Sequence, residues 1–96
     1  MGFSLIAQIP GLLESVSEAV LVYELVQMGL NVQVQVGVPV NYNEIKLELD
    51  FRLDILVNDS VIIEIKPVDI LQKKKKKQLL TYLKLTGKKI GILVNF

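Results

Sequence analysis

The sequence predicts a single α/β domain with a mixed central sheet flanked by helices, its elements running αβββαβ. Three observations carry that prediction. Two segments, one opening at Pro10-Gly11 and one near Asp69, repeat apolar residues at helical spacing. Between them, residues 32–66 alternate apolar and polar side chains in strand fashion. A last apolar run, Ile90 to Phe96, is short enough for a strand that returns to the sheet.

The first helix is expected from Pro10-Gly11 to about Met28. Leu12, Leu13, Val16, Ala19, Val20, Tyr23 and Val26 form its apolar face, and Gly29 is placed to end it in a left-handed cap. Val32, Val34, Val36, Val38 and Val40 define a strand with one apolar face. Pro39 removes a ladder hydrogen bond, so an edge or a bulge is expected there. After a turn at Asn41-Tyr42-Asn43, a second alternation runs through Ile45, Leu47, Leu49, Phe51, Leu53, Ile55 and Val57. That is long for one strand and predicts a bend or bulge near Asp50. Asn58-Asp59-Ser60 reads as a turn, and Val61 to Lys66 as a third strand stopped by Pro67. Asp69 and Gln72 have the spacing of a capping box. The helix they open carries Leu79, Leu80, Tyr82 and Leu83 and stops at Gly87.

Composition narrows the chemistry. With 96 residues, 51% hydrophobic and 22% charged, the chain suits one globular domain, residues 1–96. It has no cysteine and no histidine. Disulfides, thiolate and imidazole metal sites, and Ser-His-Asp or Cys-His catalysis are therefore excluded. Acid–base or metal chemistry falls to carboxylates, Lys and Tyr. The net charge of +1 conceals the run Lys73–Lys77, without which six basic residues face ten acidic ones. No apolar stretch reaches the ~18 residues of a membrane span. The first ten residues lack the positive start of a signal peptide. A cytoplasmic location without membrane contact is the expectation.

The residues that carry chemistry meet on the expected hairpin. A loop of Asn58-Asp59-Ser60 pairs 57 with 61, 55 with 63 and 53 with 65, all apolar with apolar. The same register sets Asp54 opposite Glu64 and Arg52 opposite Lys66, with opposed β-carbons about 5 Å apart. Two carboxylates on one face, beside the covering Leu56 and Ile62, repel each other. Mg²⁺ or Mn²⁺ would offset that repulsion, and Lys66 would hold a water or a phosphate oxygen beside it. The same spacing also describes a solvated salt-bridge face.

Asp54 followed by Glu64-Ile65-Lys66, on a hairpin between two helices, resembles the PD-(D/E)XK motif. Gln78 and Tyr82, four residues apart on the second helix, resemble the QxxxY feature of its RecB-like branch. Gly11-Leu-Leu-Glu14-Ser-Val, Phe51-Arg52-Leu-Asp54-Ile-Leu-Val, Ile63-Glu64-Ile-Lys66 and Gln78-Leu-Leu-Thr-Tyr82-Leu-Lys-Leu-Thr-Gly87 are similar to the small bacterial GxxExxY proteins of that superfamily. The similarity runs from about Pro10 to Phe96.

The resemblance implies a restriction-endonuclease-like core, shortened at both ends, with Asp54, Glu64 and the Ile65 carbonyl as metal ligands. It makes Lys66 the residue that orients the attacking water and Glu14 an extra carboxylate from the first helix. Gln78 and Tyr82 would position substrate or Lys66. Each of these last three has a plainer reading. Glu14 suits a helix N-terminus, Tyr82 lies among Leu79, Leu83 and Leu85, and Gln78 fits an exposed helix surface. Ser17 stands where the family name has Tyr. Lys73–Lys77 reads as a solvated helix face or as a phosphate-binding patch beside the acidic site.

Three functions follow as expectations. One is a Mg²⁺-dependent nuclease acting on DNA, or less readily RNA. Another is a nuclease-fold module that binds nucleic acid or protein without catalysis. A third is a remnant of such a domain, in which an unpaired last strand drives homo-oligomerisation through sheet edges.

Overall fold

The computed structural model describes residues 3–8, 13–42, 45–66 and 72–95; of residues 3–8, 41, 42, 45–50 and 72 only the backbone is described. The elements are β1 (Phe3–Gln8), α1 (Glu14–Gln27), β2 (Val32–Tyr42), β3 (Ile45–Val57), β4 (Val61–Lys66), α2 (Gln72–Thr86) and β5 (Ile90–Asn95). They build one five-stranded sheet in the order β1-β5-β4-β3-β2. β2, β3 and β4 form an antiparallel meander, and β5 runs parallel to both β4 and β1. The expected α/β class, mixed sheet and αβββαβ order are all present.

One strand was not legible beforehand. β1 is six residues without clean alternation, and what orders it is backbone pairing along its whole length to β5, from Phe3↔Ile90 to Gln8↔Asn95. That pairing corrects the expectation of an unpaired last strand. β5 lies inside the sheet between β1 and β4, and the edges are β1 and β2.

The sheet is buried on both sides. Leu56, Ile62 and Leu93 pack with Leu79, Tyr82 and Leu83 of α2, whereas Ile55, Val57, Ile63, Ile65 and Val94 face Leu21, Val22 and Leu25 of α1. Consecutive residues such as Ile62 and Ile63 fall on opposite sides, as strand pleating requires. Burial on both faces explains why β4 and β5 read as near-continuous apolar runs.

The helix α1 turns a different side inward from the one expected. Leu13, Val16, Val20, Tyr23 and Val26 are exposed, Leu13 at 73% and Tyr23 at 62%, while Ser17 is fully buried. The helix has two apolar stripes at three- and four-residue spacing. One runs through Val16, Val20 and Tyr23, and the other through Ser17, Leu21 and Leu25. Periodicity does not choose between them. Leu80 on α2 is likewise exposed, against expectation, whereas Leu79, Tyr82 and Leu83 are buried. Gly29 (φ +82) and Gly87 (φ +71) follow the helices in the left-handed conformation, as expected. Pro10-Gly11, Leu12, the Asn43 turn position, Pro67, Asp69 and Phe96 lie outside the described residues. Among the described residues no helix is long and apolar enough to cross a membrane.

Two irregularities shape the meander. Val38 pairs with Phe51 but Val40 with Leu47, so three residues of β3 stand against Pro39; this is the bulge expected near Asp50. Farther along, Val34↔Ile55 and Val36↔Leu53 bracket Gln35 and Asp54. Gln35 has φ +51, a left-handed value that is uncommon for a residue with a Cβ. Across this point the core assignment changes sides: Ile55 packs under α1, and Leu53 packs under α2. The β3–β4 turn puts Asn58 and Asp59 at positive φ and closes with Ser60 N–H donating to the Val57 carbonyl at 2.9 Å. Asn58 also exchanges two 2.8 Å hydrogen bonds with the Asn31 backbone, which ties the turn to the start of β2.

At Gly91 of β5, α2 comes close to the sheet. A Cβ there would lie 2.9 Å from Leu79 Cδ1, and Leu79 is fully buried with nowhere to retreat. Gly91→Val is expected to cost ~1–3 kcal/mol by overpacking. The cost should be smaller in a Leu79→Ala background, because the two side chains compete for one volume. Urea unfolding of the four proteins of this double-mutant cycle checks it; additive effects would contradict the close approach.

Candidate functional site

The candidate site forms where β3 and β4 part. The hairpin ladder contains the expected pairs Val57↔Val61 and Ile55↔Ile63, and ends there. The backbone pair 53↔65, and with it the direct opposition of Asp54 to Glu64 and Arg52 to Lys66, is corrected. The reason is Asp54 itself. Its Oδ2 accepts the Ile65 N–H at 2.8 Å, so a side chain stands where a strand carbonyl would be. Arg52 instead lies opposite Gly37 of β2.

The two carboxyls still meet, and Glu64 is 2% exposed. Burial pushes the Glu64 carboxyl up to about 9, reinforced by a side-chain hydrogen bond with Asp54 and by the Asp54 charge. Lys66 and a backbone hydrogen bond from Asp54 act in the opposite direction. Glu64 Oε1 is buried with no hydrogen-bond partner. An orphaned oxygen of this kind costs of order 1–3 kcal/mol unless something takes it up. Burial beside Asp54 therefore favours the protonated form of Glu64.

On α2, Gln78 Nε2 donates to the Tyr82 hydroxyl at 3.2 Å. Tyr82 is both a core residue and a neighbour of the acidic pair. It is 5% exposed and meets Phe51 edge-on, with ring centroids 5.9 Å apart at 65°. Burial raises its hydroxyl pKa, and the charges of Glu64 and Asp54 raise it further, while the Gln78 hydrogen bond opposes them. Gln78 is half-buried rather than exposed.

The first helix supplies two carboxylates. Glu14 sits exposed in the first turn of α1, and its charge reaches Glu18 and Lys75. Glu18, one turn on, was not singled out in the sequence. Its carboxyl is raised by burial, then by Asp54 and Glu14, and is lowered by a hydrogen bond from Gln35. Spacing of four from Glu14 was the available signal for Glu18. Nothing in the sequence foretold Gln35, because its left-handed backbone belongs to the kink opposite Asp54.

The lysine run is helical. Lys73, Lys74, Lys76 and Lys77 are exposed as a solvated face, but Lys75 is partly buried and interacts with Lys66, Asp54 and Glu14. Folding also gathers positive charge that the sequence total hides. Eight of the eleven basic residues fall between Lys73 and Lys89. Lys77, Lys84, Lys88 and Lys89 line a hollow beside Leu80 and Gly87. A second hollow lies on the exposed apolar side of α1, at Val16, Val20 and Tyr23; neither contains the carboxyl pair.

Among the described residues no three His, Cys, Asp or Glu side chains gather as a metal cluster. Asp54 and Glu64, the two carboxyls that meet here, could hold a hard divalent cation. The orphaned Oε1 fits that use. Two carboxylates are enough for Mg²⁺, which commonly keeps several waters.

The raised Glu64 pKa predicts a pH dependence of stability without metal. Below about 4.5, the ordinary value, folded and unfolded chains both carry the proton. From there to about 9 only the folded chain does, so stability falls as pH rises through that window. The slope is at most ~1.4 kcal/mol per pH unit. Glu64→Gln, neutral throughout, should flatten it. Urea midpoints measured in chelator across the window check this, and an unchanged slope in the variant would refute it.

Comparison with known proteins agrees with this geometry. The family model of the PD-(D/E)XK nuclease superfamily matches residues 7–96. No curated protein and no solved structure matches the chain. A match over nearly the whole chain, on a sheet that brings Asp54, Glu64 and Lys66 to the parting of β3 and β4, means that the chain belongs to the PD-(D/E)XK nuclease superfamily.

Proposed function

We propose that this single domain is a divalent-metal-dependent nuclease that hydrolyses phosphodiester bonds of DNA, and RNA less readily. The observation that carries the reading is the Asp54–Glu64 pair, in which Glu64 is buried with an unpartnered Oε1 and has Lys66 beside it. Asp54, Glu64 and the Ile65 carbonyl would hold Mg²⁺ or Mn²⁺. Bound there, the ion supplies Lewis acidity, which makes water more acidic and takes up charge on phosphoryl oxygens.

The remaining work belongs to the chain. The Ile65 N–H fixes one Asp54 oxygen, which restricts the carboxylate to one orientation. Lys66, at the end of β4, orients the attacking water and supplies positive charge to the transition state. Gln78 holds the Tyr82 hydroxyl, and the pair positions the substrate strand against Lys66. Glu14 adds negative charge at the α1 end of the site, together with Glu18, whose carboxyl feels the Asp54 charge. The resemblance to the bacterial GxxExxY proteins supports the same assignment, with buried Ser17 at the tyrosine position. A cytoplasmic setting is part of the same proposal.

The alternative is a nuclease-fold module that binds without cutting. It is favoured by one observation, the absence of a third clustered carboxylate among the described residues. Cleavage assays separate the two. The protein is expected to cut plasmid or linear DNA with Mg²⁺ or Mn²⁺ and to stop with EDTA. Asp54→Ala should abolish cutting, and Lys66→Ala should slow it by ~10²–10³-fold, with circular dichroism showing both variants folded. Full activity in either variant overturns the nuclease reading. Metal-independent DNA binding without cleavage establishes the alternative.

A further inference from the structure

The five lysines opening α2 are identical in sequence but not in setting. Four are exposed and Lys75 is not. On the helix, Lys75, Gln78 and Tyr82 lie three and four residues apart and so form one stripe. Two members of that stripe are joined by the 3.2 Å hydrogen bond from Gln78 to Tyr82, next to the acidic pair. Lys75 thus continues the side of α2 that faces Glu64 and Asp54.

From this placement we infer that Lys75 is a substrate-binding residue, a second cation that contacts a non-bridging phosphate oxygen of the nucleic-acid strand at the Asp54–Glu64–Lys66 site. The inference rests on the nuclease reading above and deepens it. Three further observations support it. Partial burial strains its charge, the charges of Lys66 and Lys74 add to that strain, and Asp54 and Glu14 offset it. The start of a helix is also the less favourable end for a cation. A phosphodiester oxygen between Lys66 and Lys75 would relieve the repulsion between these two cations, which the carboxylates only partly offset.

The test compares Lys75→Gln with Lys74→Gln and Lys76→Gln, each of which removes one charge from the same run, and with Lys75→Arg. A fluorescently labelled DNA oligonucleotide is titrated with each protein in EDTA, from ~50 to ~200 mM salt. Cleavage of the unlabelled DNA in Mg²⁺ is measured in parallel. Lys75→Gln is expected to weaken binding ~5–10-fold and to reduce the salt slope by ~0.7–0.9, one phosphate contact. It should also raise KM in cleavage. The two exposed-lysine variants should bind within about twofold of the parent, as solvated charges do, and Lys75→Arg should restore most of the binding. Thermal melts establish that all variants fold. Equal losses in all three Gln variants would overturn the assignment by showing a diffuse charge effect. DNA that is cut normally by Lys75→Gln, with unchanged binding, would overturn it while leaving the nuclease reading intact. A parent protein that neither binds nor cuts DNA would overturn both.

Discussion

The hydrogen bond from the Ile65 N–H to Asp54 Oδ2 is the contact on which the site depends. A regular antiparallel pair would have used a backbone carbonyl there, and the carboxylate would have pointed away with its neighbours. Because the side chain takes the donor instead, β3 pairs with β4 only from Ile55 to Val57. Asp54 is then held at the mouth of the opening. Glu64 lies one residue before the donor, which brings the two carboxyls together. The 2.8 Å bond therefore ends the ladder and positions an acidic group in the same stroke.

Around that opening the helices are placed by the core. Leu79, Tyr82 and Leu83 seat α2 on Leu56, Ile62 and Leu93, and the missing Cβ at Gly91 lets it sit close. Seating the helix there carries Gln78 and Lys75 to the site, since both lie on the stripe that continues from Tyr82. On the other side, fully buried Ser17 lets α1 approach, and Glu18 comes within electrostatic reach of Asp54. Packing and chemistry are thus joined through a few small or apolar residues.

The electrostatic character of the site follows from burial. A carboxyl that is 2% exposed beside another carboxyl cannot keep both charges without a counterion, so Glu64 holds a proton in the free protein. The lysines reverse the balance outside the pair. Lys66 and Lys75 stand nearest, and Lys77, Lys84, Lys88 and Lys89 lie farther along α2 and the following turn. Beside the carboxyl pair itself, Lys66 and Lys75 supply the positive charge and Glu18 further negative charge.

The sequence by itself determined the class, the order of all elements but β1, the three-residue hairpin turn, the helix-ending glycines and the meeting of Asp54 with Glu64. Those features arise from local rules: alternation, helical spacing, turn residues and the matching of apolar pairs. Tertiary structure alone decided that β5 lies inside the sheet, since β1 is recruited by backbone bonds that leave no side-chain pattern. It decided which apolar stripe of α1 faces inward, because two stripes satisfied the same period. It set Gln35 at a left-handed kink opposite Asp54, through strain that only the paired strand makes visible. It also distinguished Lys75 from four identical neighbours, because in a uniform run only the helix's contact with the sheet selects the residue turned toward the carboxyls.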